Sequence, residues 1–157
     1  MLPRFTRQTS NAERKNRRLK HHHLKTDCEK IMIVIIDDNN DLLVSLKEIF
    51  SMTNPTEAFT NGPQALEFIR KNKGQVAACV VDYMMPEMDG LEVAQRIKDI
   101  DKDVFVILMS GFVDFEKVQP YLKNRTIYQF FTKPLNMASL VKTTDDAVRL
   151  YKKRTLI

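Results

Sequence analysis

The chain has no tryptophan, only four glycines and only two cysteines among its 157 residues. Two cysteines, Cys28 and Cys79, cannot build a disulfide framework, and Cys79 lies in an apolar run where a buried thiol is the ordinary expectation. So few glycines exclude collagen-like and low-complexity architectures. No apolar run approaches the roughly 20 residues that span a bilayer, and residues 1–30 lack the apolar stretch of a secretory signal. These absences predict a cytoplasmic protein without membrane insertion.

Positive charge is concentrated at the N-terminal end of the chain. The formal net charge is +5, but residues 1–30 hold nine Lys and Arg against three Asp and Glu, a net charge of +6, which leaves −1 for the rest. This segment has no apolar period, so we expect a basic, disordered tail over residues 1–30. A domain is expected over residues 31–152, with a short C-terminal end over residues 153–157. Polyanion binding by the tail stays open, although no recognition motif supports it.

From Ile31 onwards, apolar blocks alternate with amphipathic stretches. Continuous β-branched runs predict strands that are buried on both faces, and apolar residues at spacings of three and four predict helices between them. Because parallel strands need long, right-handed crossovers, the pattern predicts an α/β fold: a doubly wound five-stranded parallel sheet with five helices on its two faces. The predicted strands cover residues 31–36, 56–60, 77–81, 104–109 and 127–131.

Polar side chains follow four of the predicted strands. Asp37 and Asp38 follow the first strand, and Asp82 ends the third. Ser110 ends the fourth strand, and Lys133 follows the fifth. In doubly wound sheets, ligands bind beyond the carboxyl ends of the strands, where the strand order reverses. We therefore expect three carboxylates, a hydroxyl and an ammonium group to meet in one shallow crevice.

This set of side chains predicts phosphoryl chemistry assisted by a metal ion. Neighbouring carboxylates repel one another, and a bound cation relieves that repulsion. Ligation by oxygen alone, with positions open to water and phosphate, favours Mg²⁺ or Mn²⁺ over Zn²⁺. A carboxylate can serve as the nucleophile, Lys133 can neutralise a phosphoryl oxygen, and Ser110 can donate a hydrogen bond to another.

Four blocks of sequence carry a resemblance to a known family. They are Asp37-Asp38, residues 80–90 (VVDYMMPEMDG), Met109-Ser110-Gly111 and Phe131-Thr132-Lys133-Pro134. Together they resemble the signature blocks of response-regulator receiver domains of two-component signalling, over about Ile31 to Tyr151. The resemblance implies a flavodoxin-like fold with the sheet order 2-1-3-4-5, as in single-domain chemotaxis regulators.

The resemblance also implies roles for the residues of the crevice. Asp82 is the expected phosphoacceptor. Asp37, Asp38, Asp82 and the backbone carbonyl of Met84 are the expected ligands of Mg²⁺ or Mn²⁺. Lys133 is expected to neutralise the phosphoryl group.

Four further residues receive roles by resemblance. Ser110 and Phe130 form the expected switch pair, and Phe130 stands where a tyrosine is frequent, so a phenolic hydroxyl is lost there. Pro134 is expected to aim Lys133 through a cis peptide, and Gly90 is expected to be structural at the site. Met84 is apolar where other members often carry a polar side chain, which leaves the lifetime of the phosphorylated state open.

The implied function is a phosphorylation-dependent signalling switch. Its phosphoryl donor would be a phosphohistidine of a sensor histidine kinase or phosphotransfer protein. Such a protein is no turnover enzyme, although it catalyses its own phosphotransfer and its own dephosphorylation. Its output is expected to reach a downstream protein, or to drive self-association, through the face of the fourth helix, fifth strand and fifth helix.

Two other functions stay open at this point. A phosphohydrolase that uses aspartyl phosphate usually carries a second Asp two residues after the nucleophile, and Met84 stands at that place. A nucleic-acid-binding adaptor would act through the basic tail and use the domain for regulation. Only six residues follow Tyr151, so we expect a single-domain regulator or one piece of a larger protein.

Two residue clusters are interpreted without a site. The methionines Met84, Met85 and Met88 are more typical of loop packing than of a soft-metal site, because no thiolate or imidazole accompanies them. The run His21 to His23 is interpreted as part of the unstructured tail.

Overall fold

Strands and helices alternate along residues 30–112 and 114–155, which are the residues that the structure, a computed structural model, describes. Cys28, the run His21 to His23 and the predicted tail up to residue 29 lie outside the described residues. The strands are β1 Met32–Ile36, β2 Thr56–Phe59, β3 Val76–Asp82, β4 Phe105–Ser110 and β5 Gln129–Thr132. The helices are α1 Asn40–Ser51, α2 Gly62–Lys71, α3 Gly90–Ile100, α4 Phe115–Lys123 and α5 Met137–Thr155.

The five strands form one parallel sheet in the order β2-β1-β3-β4-β5, as predicted. The chain moves outward from β1 to β2 and then returns past β1 to β3, so the strand order reverses between β1 and β3. The carboxyl ends of β1, β3, β4 and β5 therefore lie side by side, which is where such sheets bind their ligands.

The side chains of β1 alternate between two apolar cores. Met32, Val34 and Ile36 pack in a core with residues of α2 and α3. Ile33 and Ile35 pack on the other side of the sheet with residues of α1 and α5. Every β1 residue is buried, which explains why its sequence is continuously apolar and not alternating. Cys79 of β3 is also fully buried.

Polar side chains cap the starts of α1 and α3, the helices that follow β1 and β3. The side chain of Asn39 accepts hydrogen bonds from the backbone N–H groups of Asp41 (3.1 Å) and Leu42 (3.2 Å) at the start of α1. The side chain of Asp89 accepts from the N–H of Glu92 (2.9 Å) at the start of α3. A full capping box would also have the Glu92 side chain bind the N–H of Asp89, but the Glu92 carboxylate instead pairs with Arg96 at 2.8 Å.

Among the strands, the start of the fifth differs most from the prediction. The fifth strand was expected over residues 127–131, but it begins at Gln129. The amide of Ile127 donates to the carbonyl of Tyr121 (2.9 Å) in the preceding turn, so the apolar pattern there reports burial and not strand pairing. The last helix continues to Thr155, three residues past the domain boundary at 152. Among the described residues, no helix has the length and apolar character needed to cross a membrane.

Candidate functional site

The sheet brings three carboxylates together at its carboxyl edge. Asp37 directly follows β1, Asp38 is its neighbour, and Asp82 is the last residue of β3. One carboxylate oxygen from each residue lies within 4.8 Å of the other two. Asp37 and Asp82 are buried, whereas Asp38 is exposed. The cluster thus has two fixed carboxylates and one that faces solvent.

Lys133 connects the two buried carboxylates. Its Nζ lies 2.9 Å from Asp37 Oδ2 and 3.1 Å from Asp82 Oδ1. Burial alone would lower the pKa of Lys133, but its hydrogen bonds to Asp37 and Asp82 outweigh burial and raise that pKa. The ammonium group is therefore charged at neutral pH and positioned against the cluster.

One ammonium group does not neutralise three carboxylates. Burial raises the pKa of Asp82, and the charges of Asp37 and Asp38 raise it further, while the hydrogen bond from Lys133 opposes this shift. Three carboxylates and one ammonium carry a formal charge of −2. Oxygen donors with this excess negative charge suit a divalent ion such as Mg²⁺ or Mn²⁺.

A turn fixes the first of these carboxylates. The backbone N–H of Asn39 donates to Asp37 Oδ1 at 2.8 Å, so both oxygens of Asp37 have partners. The sequence analysis missed this contact. The signal that could have revealed it is the Asp37-Asp38-Asn39 order itself, because Asp often binds the backbone N–H two residues further on.

The loop between β3 and α3 begins directly after Asp82. Met84 is 62% exposed, and its carbonyl belongs to the loop that begins directly after Asp82. The N–H of Gly90 donates to the carbonyl of Tyr83 at 2.9 Å, which closes the loop. Glu87 takes a positive φ of 70° within it. Met85 and Met88 pack against the core, which agrees with their interpretation as loop packing. Met84 is exposed to solvent and does not fit that interpretation.

Gly90 lies where no side chain fits. A Cβ atom at this position would lie 2.5 Å from the carbonyl oxygen of Asp82 and 2.8 Å from Cα of Tyr83. Both neighbours are backbone atoms, so neither can move aside without shifting the end of β3. The glycine allows the start of α3 to approach the strand that carries Asp82.

Ser110 and Phe130 lie on neighbouring strands but not opposite each other. Ser110 pairs in register with Thr132, and Phe130 pairs with Leu108. The Ser110 hydroxyl is fully buried; it donates to the carbonyl of Phe112 and accepts from the N–H of Phe112 (3.1 Å). It therefore binds its own loop in this state. Phe130 is half-buried against the core on the α2–α3 side.

Lys133 is held at the site by its backbone. Its N–H donates to the carbonyl of Ser110 at 2.7 Å, which extends the pairing of β4 and β5 by one residue. The Lys133–Pro134 peptide bond is cis. All residues that the sequence singled out for this crevice thus belong to β1, β3, β4, β5 or the segments that follow them.

Comparison with known proteins identifies the class to which this fold and site belong. The sequence model of the family described as response regulator receiver domain matches residues 33–145. The chain therefore belongs to the response regulator receiver domains of two-component systems.

Individual relatives agree with this assignment. Sporulation initiation phosphotransferase F of Bacillus subtilis is 30% identical over 120 residues, which are 76% of this chain and 91% of that protein. Response regulator protein TodT of Pseudomonas putida is 28% identical over 76% of this chain, which spans 52% of that relative, about half its length.

Solved structures have the same fold. The structure described as adenylate cyclase from Rhodopirellula baltica is 25% identical with a TM-score of 0.75, over 80% of this chain and 93% of that one. A response regulator receiver domain protein from Clostridium thermocellum is 21% identical with a TM-score of 0.72, over 80% of this chain and 98% of that one. At that identity the similarity concerns the fold alone.

Proposed function

We propose that Asp82 accepts a phosphoryl group from a phosphohistidine of a sensor histidine kinase or phosphotransfer protein, in a reaction that depends on Mg²⁺. The observation that carries the proposal is the Asp82 carboxylate itself. It ends β3, lies within 4.8 Å of two further carboxylates and pairs with Lys133 at 3.1 Å. The name of the Bacillus subtilis relative, a phosphotransferase, supports the same chemistry.

The transfer exchanges one bond to phosphorus for another. A carboxylate oxygen of Asp82 forms the new O–P bond while the N–P bond to the donor imidazole breaks, and the bonding electron pair stays on the imidazole nitrogen. Lys133 already lies between Asp37 and Asp82, so its ammonium group can follow the phosphoryl oxygens without a large movement. Hydrolysis of the acyl phosphate by water then returns Asp82, which makes the domain a switch and not a turnover enzyme.

Asp37, Asp38, Asp82 and the carbonyl of Met84 would hold the Mg²⁺ or Mn²⁺ ion. The ion, when bound, neutralises charge shared by the carboxylates and the phosphoryl oxygens. Asp37 is kept in place by Lys133 and by the N–H of Asn39. Asp38 is exposed and can turn toward an incoming ion. The formal charge of −2 before the ion binds is what makes this site attractive to a divalent cation and poor for a lone phosphate.

A phosphohydrolase is less well supported. That chemistry needs an acid or base near the leaving group, and the residue two positions after Asp82 is Met84, whose exposed thioether cannot transfer protons. A receiver domain located in the cytoplasm agrees better with these residues.

Acetyl phosphate tests the proposal without a partner kinase. In the presence of Mg²⁺, the intact mass of the protein should rise by one phosphoryl group, and addition of EDTA should prevent the rise. The mass should return to the unmodified value on longer incubation after the donor is removed. Labelling that is unaffected by EDTA, or labelling of several residues, would contradict the proposal.

The switch is expected to run through Ser110 and Phe130. A phosphoryl group on Asp82 offers strong acceptor oxygens, so the Ser110 hydroxyl should exchange its contacts with Phe112 for one of them, at a differential free energy of about 1–3 kcal/mol. This free-energy difference changes the population ratio of the two conformational states by about one to two powers of ten. Phe130, already half-buried, would then turn inward and alter the face of α4, β5 and α5.

Two substitutions separate phosphorylation from output. Ser110→Ala should still be labelled by acetyl phosphate but respond poorly, and Phe130→Ala should lose the response. The measurement is binding of a downstream partner, or self-association by sedimentation, with and without beryllofluoride as phosphoryl mimic. Equal responses of wild type and both variants would show that this pair is ordinary packing.

Polyanion binding by the basic tail stays a prediction about residues outside those described.

A further inference from the structure

A cationic cavity lies at the end of the domain opposite Asp82. It is formed where the C-terminal ends of α3, α4 and α5 meet the amino ends of β4 and β5, and its volume is about 560 Å³. This volume lies within the range of small-molecule sites, roughly 300–1,000 Å³. Among the residues that the structure describes, no carboxylate lines it, but four cationic residues do: Lys98, Lys102, Arg125 and Arg154.

Two neighbouring cavities of similar size differ in this respect. One, between α1 and α5, is lined by cationic residues together with the carboxylate of Asp145. The other, between α2 and α3, has Asp99. Some surface cations near these two cavities also have acidic partners, as in the pairs Arg70–Glu67 and Arg96–Glu92. The cavity at β4 and β5 therefore differs from these two because no carboxylate is among the described residues that line it.

The four cations form no ion pair within residues 30–112 and 114–155. Lys98 Nζ donates to the carbonyls of Lys102 (3.2 Å) and Val104. Burial lowers the pKa of Lys98, and the charge of Arg154 lowers it further, although nearby carboxylates oppose this. One of these, Asp101, already accepts from the N–H groups of Gly74 (3.3 Å) and Asp103 (3.0 Å).

Helix ends do not cancel this charge. Each helix C-terminus carries roughly −0.5 elementary charge, so three of them offset about −1.5 of the four positive charges. The Arg154 guanidinium lies 4.9 Å above the Phe105 ring, a contact that holds it in place without neutralising it. Asp101 and Asp103 act on Lys98 from outside the cavity, so the described residues that form its wall present positive charge to an anion that enters the recess.

Arg125 indicates that one of these cations is not simply a surface residue. It follows the α4 cap and has a φ of +63°, a conformation that is unfavourable for an ordinary side chain and favours glycine. An arginine occupies this position nevertheless, and its side chain lines the cavity. Tyr128, 37% exposed, adds a ring to the wall and meets Phe105 edge to face at 4.9 Å.

We propose that this cavity binds a chain of two or three phosphates, bound through Lys98, Lys102, Arg125 and Arg154, either as inorganic polyphosphate or as part of a nucleoside triphosphate. Several adjacent phosphates match several unpaired cations, which a single carboxylate or phosphate does not. The ring of Tyr128 offers a flat surface for a base if the ligand is a nucleotide.

The test compares tripolyphosphate and ATP as probes on the full chain, by isothermal titration calorimetry at low salt with EDTA present. EDTA keeps divalent ions from bringing phosphates to the Asp82 site. Arg125→Gly should weaken both probes by about tenfold, the loss of one charged hydrogen-bonding partner. Its melting temperature should stay equal or rise, because glycine relieves the positive φ, and its labelling by acetyl phosphate should be unchanged.

Matched variants locate the site and distinguish the two ligands. Lys102→Gln should weaken binding, whereas Lys73→Gln, which removes an exposed lysine that does not line this cavity, should not. Tyr128→Leu should weaken ATP alone if a nucleotide is the ligand, and neither probe if inorganic polyphosphate is. The proposal would be overturned if Lys73→Gln and Arg125→Gly lost affinity equally, or if Arg125→Gly kept its affinity for both probes. Binding of a DNA duplex together with no binding of either probe would also overturn it.

Discussion

Replacing Asp82 by Asn is expected to abolish labelling by acetyl phosphate while the domain stays folded. The amide cannot supply the nucleophilic oxygen, so the mass shift should fall below detection. The fold should survive, because the substitution removes one of three mutually repelling carboxylates and leaves Lys133 paired with Asp37 at 2.9 Å. Intact mass measures the labelling, and thermal unfolding followed by circular dichroism measures the stability.

Asp38→Asn is the matched control within the cluster. This exposed carboxylate is expected to help hold the metal but not to accept the phosphoryl group, so labelling should persist and require a higher Mg²⁺ concentration. Peptide mapping should locate the group on Asp82 in both wild type and Asp38→Asn. Undiminished labelling of Asp82→Asn, or mapping to Asp37, would contradict the assignment of the acceptor.

The sheet was predictable because its strands are buried on both faces. A strand such as β1, with apolar neighbours on each side, must be continuously apolar, and that run is visible without coordinates. The fifth strand was predicted to begin two residues too early, because burial outside a strand gives the same apolar pattern as burial within one. Ile127 is as buried as a strand residue, but its amide is bound to Tyr121, and only the tertiary turn decides this.

The composition of the site was also predictable, but its contacts were not. Residues at the carboxyl ends of parallel strands must meet, so Asp37, Asp82 and Lys133 could be grouped from sequence. The partners of Ser110 could not, since a buried hydroxyl can bind whichever backbone groups the loop presents, here those of Phe112. Register separated Ser110 from Phe130 as well, because β4 pairs Phe130 with Leu108. The cationic cavity joins three helix ends and has no contiguous sequence signature.

Gly90→Ala is expected to destabilise the domain by roughly 3 kcal/mol, the upper range for side chains forced into filled space. The new Cβ would lie 2.5 Å from the Asp82 carbonyl oxygen and 2.8 Å from both Tyr83 Cα and Leu108 Cδ1. Alanine favours a helix over glycine by only about 1 kcal/mol, and that gain is too small to compensate. For a domain of this size, the melting temperature should fall by on the order of 10 °C.

Gly111→Ala is the matched control, since it also replaces a glycine beside the site. Among the described residues outside its two chain neighbours, the atom nearest to its new Cβ would be the Cβ of Lys133 at 3.9 Å, an ordinary contact, so the stability should change by less than about 0.5 kcal/mol. The two variants should differ in labelling too, because relief of the clash in Gly90→Ala must displace either α3 or the backbone of Asp82. Thermal unfolding and the rate of labelling by acetyl phosphate measure both effects. If the two alanine variants are equally stable, the start of α3 can move away from β3 freely, and the position of Asp82 does not depend on the close approach at Gly90.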